Sequence, residues 1–244
     1  MHSYPNVGYE SDQLPTKLGN VANFSLDAAW SVYPSSDYAS TTDATALAAL
    51  DTKADVALDM FLDLDPARAS NASAANVEVM VWQAVWGGVW PIGYYAPNDD
   101  APSYTLDGAE YRLFVGHNQQ YQKQLVYSWV PAQGNLDSVS ADVFPLVRYL
   151  YGLGNVTEDY YLGLVQFGSE TVHATQNVTF DVQHASMSLD VVSSTARPTK
   201  TRGPGGATAS SKGAAGRAVP APTLTGWPVA AAAAAGMAVA AMAA

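Results

Sequence analysis

The sequence has little positive charge. Lys and Arg number 11 against 22 Asp and Glu, which gives a formal net charge of −11. Nucleic-acid binding needs a basic face that displaces counterions from phosphate groups. The charge balance therefore excludes nucleic acid as the main partner.

The sequence also has no cysteine and few charged residues of any kind. Only 14% of residues are charged while 11% are Phe, Trp or Tyr, so polar contacts must come mainly from Ser, Thr, Asn, Gln and Tyr. Such a surface suits neutral, hydroxyl-rich ligands. A zinc site has little support, because cysteine is absent and no two histidines have i, i+4 or H-x-H spacing (His2, His117, His173 and His184).

Sequence motifs for phosphate, dinucleotide and serine-nucleophile chemistry are missing as well. The chain contains no P-loop, no G-x-G-x-x-G after a strand and no G-x-S-x-G. We therefore expect neither a metal nor an organic cofactor.

The charge is distributed unevenly along the chain. Residues 1–190 contain all 22 acidic and 6 of the 11 basic residues, a net charge of −16, and the remaining 5 basic residues follow Asp190. This predicts a folded domain over 1–192 and a different kind of chain after it. The five basic residues beyond Asp190 are Arg197, Lys200, Arg202, Lys212 and Arg217.

The segment after the domain has two parts. Residues 193–228 are rich in Ser, Thr, Gly, Pro and Ala, a composition typical of a linker. Residues 229–244 are 16 uncharged, mostly Ala residues, whereas a spanning helix needs about 20. Small residues at 213–215, a spacer and this apolar end match the layout of a glycosylphosphatidylinositol anchor signal. A disordered Ala-rich tail is the alternative, and both stay open.

The N-terminus shows no basic segment followed by an apolar segment, so the sequence as written has no secretory signal. Four N-glycosylation sequons nevertheless favour secretion, and we expect a monomeric secreted or cell-surface glycoprotein. These sequons begin at Asn23, Asn71, Asn155 and Asn177.

Apolar residues alternate with polar ones over most of residues 54–191. In 54–64, Val56, Leu58 and Met60 fall on one face, with Asp55 and Asp59 on the other. Short strands separated by turn residues indicate an all-β sandwich or jelly roll. Strands are predicted at 54–64, 76–82, 103–106, 110–115, 124–131, 161–170 and 176–191.

One helix interrupts this pattern. Val143, Leu146, Val147 and Leu150 follow helical spacing, and Ser140 or Asp142 can cap the N-terminus. Pro145 falls in the first turn, where proline is tolerated.

Two glutamates are candidates for chemistry. Glu78 shares a strand face with Met80 and Trp82, as in a cleft floor, although an incidental surface Glu is equally compatible with this strand alone. Glu170 ends an apolar strand after Gly168, where a solvated strand end is the alternative. Two carboxyl groups on facing strands of one concave sheet are the minimal apparatus for glycoside hydrolysis.

The sequence resembles glycoside hydrolase family 12, the endo-β-1,4-glucanases and xyloglucanases. Residues 2–7 (HSYPNV) resemble the family's SYPN block, and 54–59 (ADVALD) resemble its V-A-Y-D strand. Residues 77–82 (VEVMVW), followed by Gly87-Gly88 and Pro91-Ile92-Gly93, are similar to its E-I-M-I-W strand and turn. Further blocks match at 127–130, 142–150 and 161–170, so the resemblance covers residues 2 to about 191.

The resemblance implies a concanavalin A-like jelly-roll sandwich that hydrolyses β-glucans such as xyloglucan or cellulose with retention. By this resemblance Glu78 is the nucleophile, Glu170 the general acid/base and Asp59 a supporting carboxylate. Met80 and Trp82 are expected to line the cleft, and Trp86 is expected to bind sugar. Trp90 offers a further sugar-stacking surface, and a place in the core is the alternative for both Trp86 and Trp90.

Two departures from the family pattern qualify these expectations. Thr171-Val172 follows Glu170 where the family usually has Pro-Phe. The SYPN block normally follows the first strands of the fold, but here it starts at residue 2. The expectation is thus an N-terminally incomplete domain with unpaired sheet edges. A non-catalytic, cell-wall carbohydrate-binding protein on the same sandwich and an inactive truncated product are the alternatives.

Overall fold

The computed structural model describes residues 3–39, 41–95, 100–119 and 124–192. The predicted linker at 193–228 and apolar tail at 229–244 lie outside the described residues. Among the helices of the described residues, none is both long and apolar enough to cross a membrane.

The described chain is built mainly of strands. In chain order they are β1 (Asn6–Gly8), β2 (Thr16–Lys17), β3 (Val21–Pro34), β4 (Lys53–Asp63), β5 (Val77–Trp86), β6 (Ser103–Leu106), β7 (Ala109–Asn118), β8 (Gln124–Pro131), β9 (Ser138–Asp142), β10 (Tyr161–Gly168), β11 (Thr171–His173) and β12 (Val178–Val191). The α-helices are short: α1 (Ala44–Ala49), α2 (Pro66–Ala69) and α3 (Phe144–Tyr149). Two 3-10 turns lie at Leu18–Asn20 and Leu150–Leu153.

The strands form two sheets. The larger has the order β1-β10-β4-β5-β8-β7-β6, with β2 pairing with β10 and β11 with β4. The smaller has the order β12-β3-β9. Pairing is antiparallel except between β5 and β8, which run parallel. The β-sandwich expected from the sequence is therefore confirmed.

The core lies between the two sheets. Alternate residues of β3 (Phe24, Leu26, Trp30) pack against alternate residues of the larger sheet, such as Leu58 of β4 and Trp129 of β8. Burying each large apolar side chain contributes about 1.5–3 kcal/mol. Because this interior is filled, functional side chains of the larger sheet must lie on its outer face, away from the smaller sheet.

The helix predicted near 143–150 is confirmed as α3. The Asp142 carboxylate accepts a hydrogen bond from Phe144 N at 3.0 Å, so it serves the exposed N–H groups of the first turn. The structure adds α1 and α2, which the sequence did not predict. Both begin after an aspartate that caps them, Asp43 and Asp65.

A β-bulge changes the face assignment in the second half of β5. Ala57 pairs with Trp82, and Val56, which precedes Ala57 on β4, pairs with Ala84. Gln83 therefore has no opposite residue on β4. The Gln83 side chain points into the interior, where it donates to Val81 O (3.1 Å) and accepts from Tyr111 Oη (3.2 Å). After the bulge, odd rather than even positions face outward.

We expect Asp63→Ala to destabilise the fold by about 2–4 kcal/mol, because three donors would lose a buried charged acceptor. Asp63 is 2% exposed at the end of β4. Its carboxylate accepts from Arg68 Nε (3.0 Å), Asn76 N (2.9 Å) and Asp65 N (2.9 Å). Denaturant unfolding measures the change, with the exposed Asp12→Ala as control. Equal stability of the two variants would contradict this role for Asp63.

Candidate active site

Four carboxyl groups meet on the outer face of the larger sheet. The strand period that buries Val77, Val79 and Val81 directs Glu78 outward, and the same alternation in β4 directs Asp55 and Asp59 outward. Glu170 follows the neighbouring strand β10. The sheet order β10-β4-β5 therefore brings these residues together.

Backbone hydrogen bonds hold Glu170 beside β4. Asp55 N donates to Glu170 O at 3.0 Å, and Ser169 Oγ donates to Asp55 O at 2.7 Å. On the other side, Thr171 N donates to Ser3 O at 3.0 Å. The Thr171-Val172 pair that replaces the expected Pro-Phe belongs to β11, and Thr171 pairs with Ala54 of β4.

The four carboxyl groups are almost inaccessible to solvent. Glu78 is 2% exposed, Glu170 6%, Asp59 1% and Asp55 0%. Several of their oxygens accept no hydrogen bond from the residues that the structure describes: Glu78 Oε1, Glu170 Oε1, Asp59 Oδ1 and both oxygens of Asp55. Burying unpaired carboxylates is expensive. Such a cluster is typical of a site whose polar groups are kept for chemistry.

Burial raises the pKa of every member of the cluster. The pKa of Glu170 rises to about 8, through burial first and then the negative charge of Asp59. The pKa of Glu78 is raised well above its ordinary value by burial, then by Asp59 and Glu170. The pKa of Asp55 is likewise raised well above its ordinary value by burial, Glu170 and Asp59. Four buried neighbours cannot all be ionised, so protons held by some of them allow another to remain an anion.

Tyr4 is a site residue that the sequence reasoning missed. Its phenol hydroxyl donates to Asp59 Oδ2, and this hydrogen bond partly offsets the burial that raises the pKa of Asp59 to about 7. Burial and the neighbouring carboxylates raise the pKa of Tyr4 well above its ordinary value, so the phenol remains a donor. The only sequence signal was the position of Tyr4 within the SYPN block.

A pocket opens above Glu78 and Glu170. Met80 and Trp82 line it beside the glutamates, as expected from the strand period, and Trp82 Nε1 donates to Met80 Sδ at 3.5 Å. Pro91 and Ile92, from the loop after β5, form a further part of the wall. The pocket therefore has one carboxyl-rich side and one apolar side.

Trp86, for which the sequence left sugar binding and the core as alternatives, does not line this pocket. It pairs with Ala54 and packs against the core between the two sheets. An unbroken period of two would direct Trp86 to the same face as Glu78, and the bulge at Gln83 reverses that period. Val85 takes the outward position instead, where it packs with the cluster around Met80 and Trp82.

Two carboxyl groups in one pocket are the arrangement that most glycoside hydrolases use. The family model for glycosyl hydrolase family 12 matches residues 3–190. The chain therefore belongs to glycosyl hydrolase family 12.

Curated relatives of this chain include xyloglucan-specific endo-β-1,4-glucanases. The probable xyloglucan-specific endo-β-1,4-glucanase A of Neosartorya fischeri is 36% identical over 136 residues, covering 56% of this chain and 52% of the relative. The xyloglucan-specific endo-β-1,4-glucanase A of Emericella nidulans is 29% identical over 168 residues, covering 69% of this chain and 59% of the relative. The chain thus spans about half the length of the curated relatives it matches.

Solved structures of the family share the fold. Trichoderma harzianum endoglucanase 3 is 26% identical with a TM-score of 0.59, covering 77% of this chain and 71% of that chain. Humicola grisea Cel12A, solved with a soaked thio-cellotetraose, is 25% identical with a TM-score of 0.59, covering 77% of this chain and 72% of that chain. The expected family and jelly-roll fold are confirmed.

The raised pKa values of the carboxyl groups predict that the stability of the fold falls as pH rises. Between an ordinary carboxyl pKa of about 4 and the native values of about 7 for Asp59 and about 8 for Glu170, the folded state binds more protons than the unfolded state. The free energy of unfolding should therefore decrease as pH rises from 5 to 8.

Glu170→Gln removes one of these protonation sites, so we expect its melting temperature to fall less over this pH range than that of the unmodified protein. Differential scanning calorimetry at several pH values measures this, with the exposed Glu10→Gln as control. The same pH slope in the Glu170 variant and the unmodified protein would contradict the assignment.

Proposed function

We propose that this chain is a retaining endo-β-1,4-glucanase in which Glu78 is the nucleophile and Glu170 the general acid/base. The observation that supports this most directly is the burial of both glutamates in one pocket, which raises the pKa of each, that of Glu170 to about 8. A carboxyl group with that pKa is protonated at neutral pH and can donate its proton.

In the first step Glu170 gives its proton to the glycosidic oxygen while the Glu78 carboxylate attacks C1. The C1–O bond breaks, the leaving sugar departs with a new hydroxyl group, and a glycosyl ester forms on Glu78. In the second step the Glu170 carboxylate takes a proton from water, the water oxygen attacks C1 and the ester bond breaks. Both glutamates return to their starting states, and no cofactor is required.

Asp59 has a supporting role in this proposal. It is held by the Tyr4 hydroxyl, and its charge is among the causes that raise the pKa of both glutamates. When Asp59 carries a proton, ionised Glu78 has one fewer negative neighbour. Asp59 therefore helps to set which carboxyl group is the anion before substrate arrives.

The proposed substrate is an internal bond of a β-glucan of the xyloglucan or cellulose type. The named activities of the curated relatives and the thio-cellotetraose complex of the Humicola grisea enzyme support this class. The low charge of the sequence also suits a neutral polysaccharide.

We also propose secretion of a glycosylated monomer. Three of the sequon asparagines, Asn71, Asn155 and Asn177, are exposed, whereas Asn23 is half-buried in β3. The anchor signal considered for the tail lies outside the described residues, so lipid attachment stays a prediction from the sequence.

Replacing the nucleophile tests the activity. We expect Glu78→Gln to reduce the release of reducing sugar from xyloglucan and barley β-glucan by at least 10³-fold, because the amide cannot form the glycosyl ester. Binding of the same glucans, measured by affinity electrophoresis, should persist. Glu110→Gln, on β7 outside the carboxyl cluster, is the matched control and should retain activity.

Two outcomes would overturn the proposal. Absence of hydrolysis by the unmodified protein together with glucan binding would identify a non-catalytic carbohydrate-binding protein. Undiminished hydrolysis by Glu78→Gln would remove Glu78 from the nucleophile role.

A further inference from the structure

We infer that Trp90 and Tyr94 form a second sugar-binding surface beside the catalytic pocket, on which a pyranose ring of the glucan chain stacks. This inference rests on the proposed function for its ligand class. Its geometry is independent of the four carboxyl groups. We call the two residues the aromatic platform.

The platform is a stacked pair of rings. The centroids of Trp90 and Tyr94 are 4.1 Å apart with an angle of 17° between the planes, and Tyr94 in turn packs on Phe114 of β7 at 5.3 Å. Phe114 is buried, whereas Trp90 is 54% exposed. An indole that is held flat and left open to solvent offers one free aromatic face.

The loop that carries the platform is fixed to the sheet. Gly93 has a positive φ of 85°, and a Cβ at this position would lie 2.1 Å from Val115 O. A Cβ on Gly116 would lie 2.5 Å from the Ile92 side chain. This close packing leaves room only for glycine, so the loop carrying Trp90 and Tyr94 is positioned by β7 before any ligand binds.

A cavity of about 280 Å³ adjoins the platform, close to the lower end of the roughly 300–1,000 Å³ range of small-molecule sites. Its walls are mostly apolar and aromatic, with one cation, Arg112. Trp90, Tyr94, Val85 and Val130 are among the lining residues.

This cavity adjoins the catalytic pocket, because the two share lining residues. Trp82 and Pro91 line both the cavity and the pocket above Glu78 and Glu170. A polysaccharide chain that places one bond over the glutamates has further rings to either side, so one of them can reach the platform. This adjacency favours a pyranose ring of the same chain over an unrelated ligand.

The chemistry of a pyranose ring fits this surface. The ring presents C–H groups on its faces and hydroxyl groups around its edge, so it can stack on Trp90 while its hydroxyl groups remain in water. Apart from Arg112, the walls offer few charged groups, because Trp82, Val85, Val89 and Phe114 dominate them. We therefore assign the platform to binding of long substrates and not to the chemical step.

The test compares Trp90→Ala with Trp90→Phe, both in a Glu78→Gln background so that substrate is not consumed. Titration calorimetry measures the Kd of cellohexaose and of a xylosylated xyloglucan oligosaccharide, with cellobiose as a short comparison. We expect Trp90→Ala to weaken binding of at least one long oligosaccharide roughly 3- to 10-fold, with the larger share of the affinity recovered by Trp90→Phe. The effect on cellobiose should be smaller.

The control is Tyr38→Ala, another exposed aromatic residue, 78% exposed and packed on Tyr33 of the smaller sheet. It should leave both affinities unchanged, and melting temperatures verify that each variant folds. Equal Kd values for Trp90→Ala and its parent with both long oligosaccharides, or no binding of either by the parent, would overturn the platform.

Failure of the platform and failure of the proposed activity can be distinguished. If the unmodified protein hydrolyses glucan but Trp90→Ala binds normally, the platform is wrong and the enzyme assignment stands. If the protein hydrolyses nothing but Trp90→Ala weakens oligosaccharide binding, the platform stands in a non-catalytic protein.

Discussion

The main constraint on this structure is that four buried carboxyl groups lie close together on the outer face of the larger sheet. Mutual repulsion and desolvation oppose this arrangement, and the apolar interior between the two sheets must offset them. Two hydrogen bonds, from Asp55 N to Glu170 O and from Ser169 Oγ to Asp55 O, hold the segment of Glu170 beside β4. The same unfavourable proximity raises the pKa of Glu170 to about 8, so the cost in stability and the protonated state of the proposed general acid have one cause.

The main features of the fold and site followed from the sequence because they depend on strand alternation. Val77, Val79 and Val81 point inward and Glu78, Met80 and Trp82 outward, as predicted, and Asp59 and Glu170 come from neighbouring strands. Strand β3 was not predicted although Phe24, Leu26, Ala28, Trp30 and Val32 alternate, because interspersed Ala and Ser residues weaken the contrast between its two faces.

The features that the sequence did not predict arise from tertiary contacts. The hydrogen bond of Tyr4 to Asp59 joins residues 55 positions apart, and nothing local in either segment indicates it. Asp55 was assigned to a strand face correctly, but its burial depends on the path of the chain after β10. The sequence left open whether Trp86 lies in the cleft or the core, because this depends on a bulge, and a bulge depends on how two strands pair, which neither strand reveals alone.

The bulge at Gln83 divides β5 into two halves of opposite parity. Before the bulge, the even-numbered side chains face the pocket; after it, the even-numbered side chains face the interior. Val85 therefore lies on the outer face and Trp86 on the inner face. Deleting Gln83 would remove the bulge and leave Ala84, Val85 and Trp86 opposite Val56, Asp55 and Ala54, so the indole of Trp86 would stay against the interior. The extra residue therefore changes which numbers belong to each face of β5 and leaves the two faces themselves as they are.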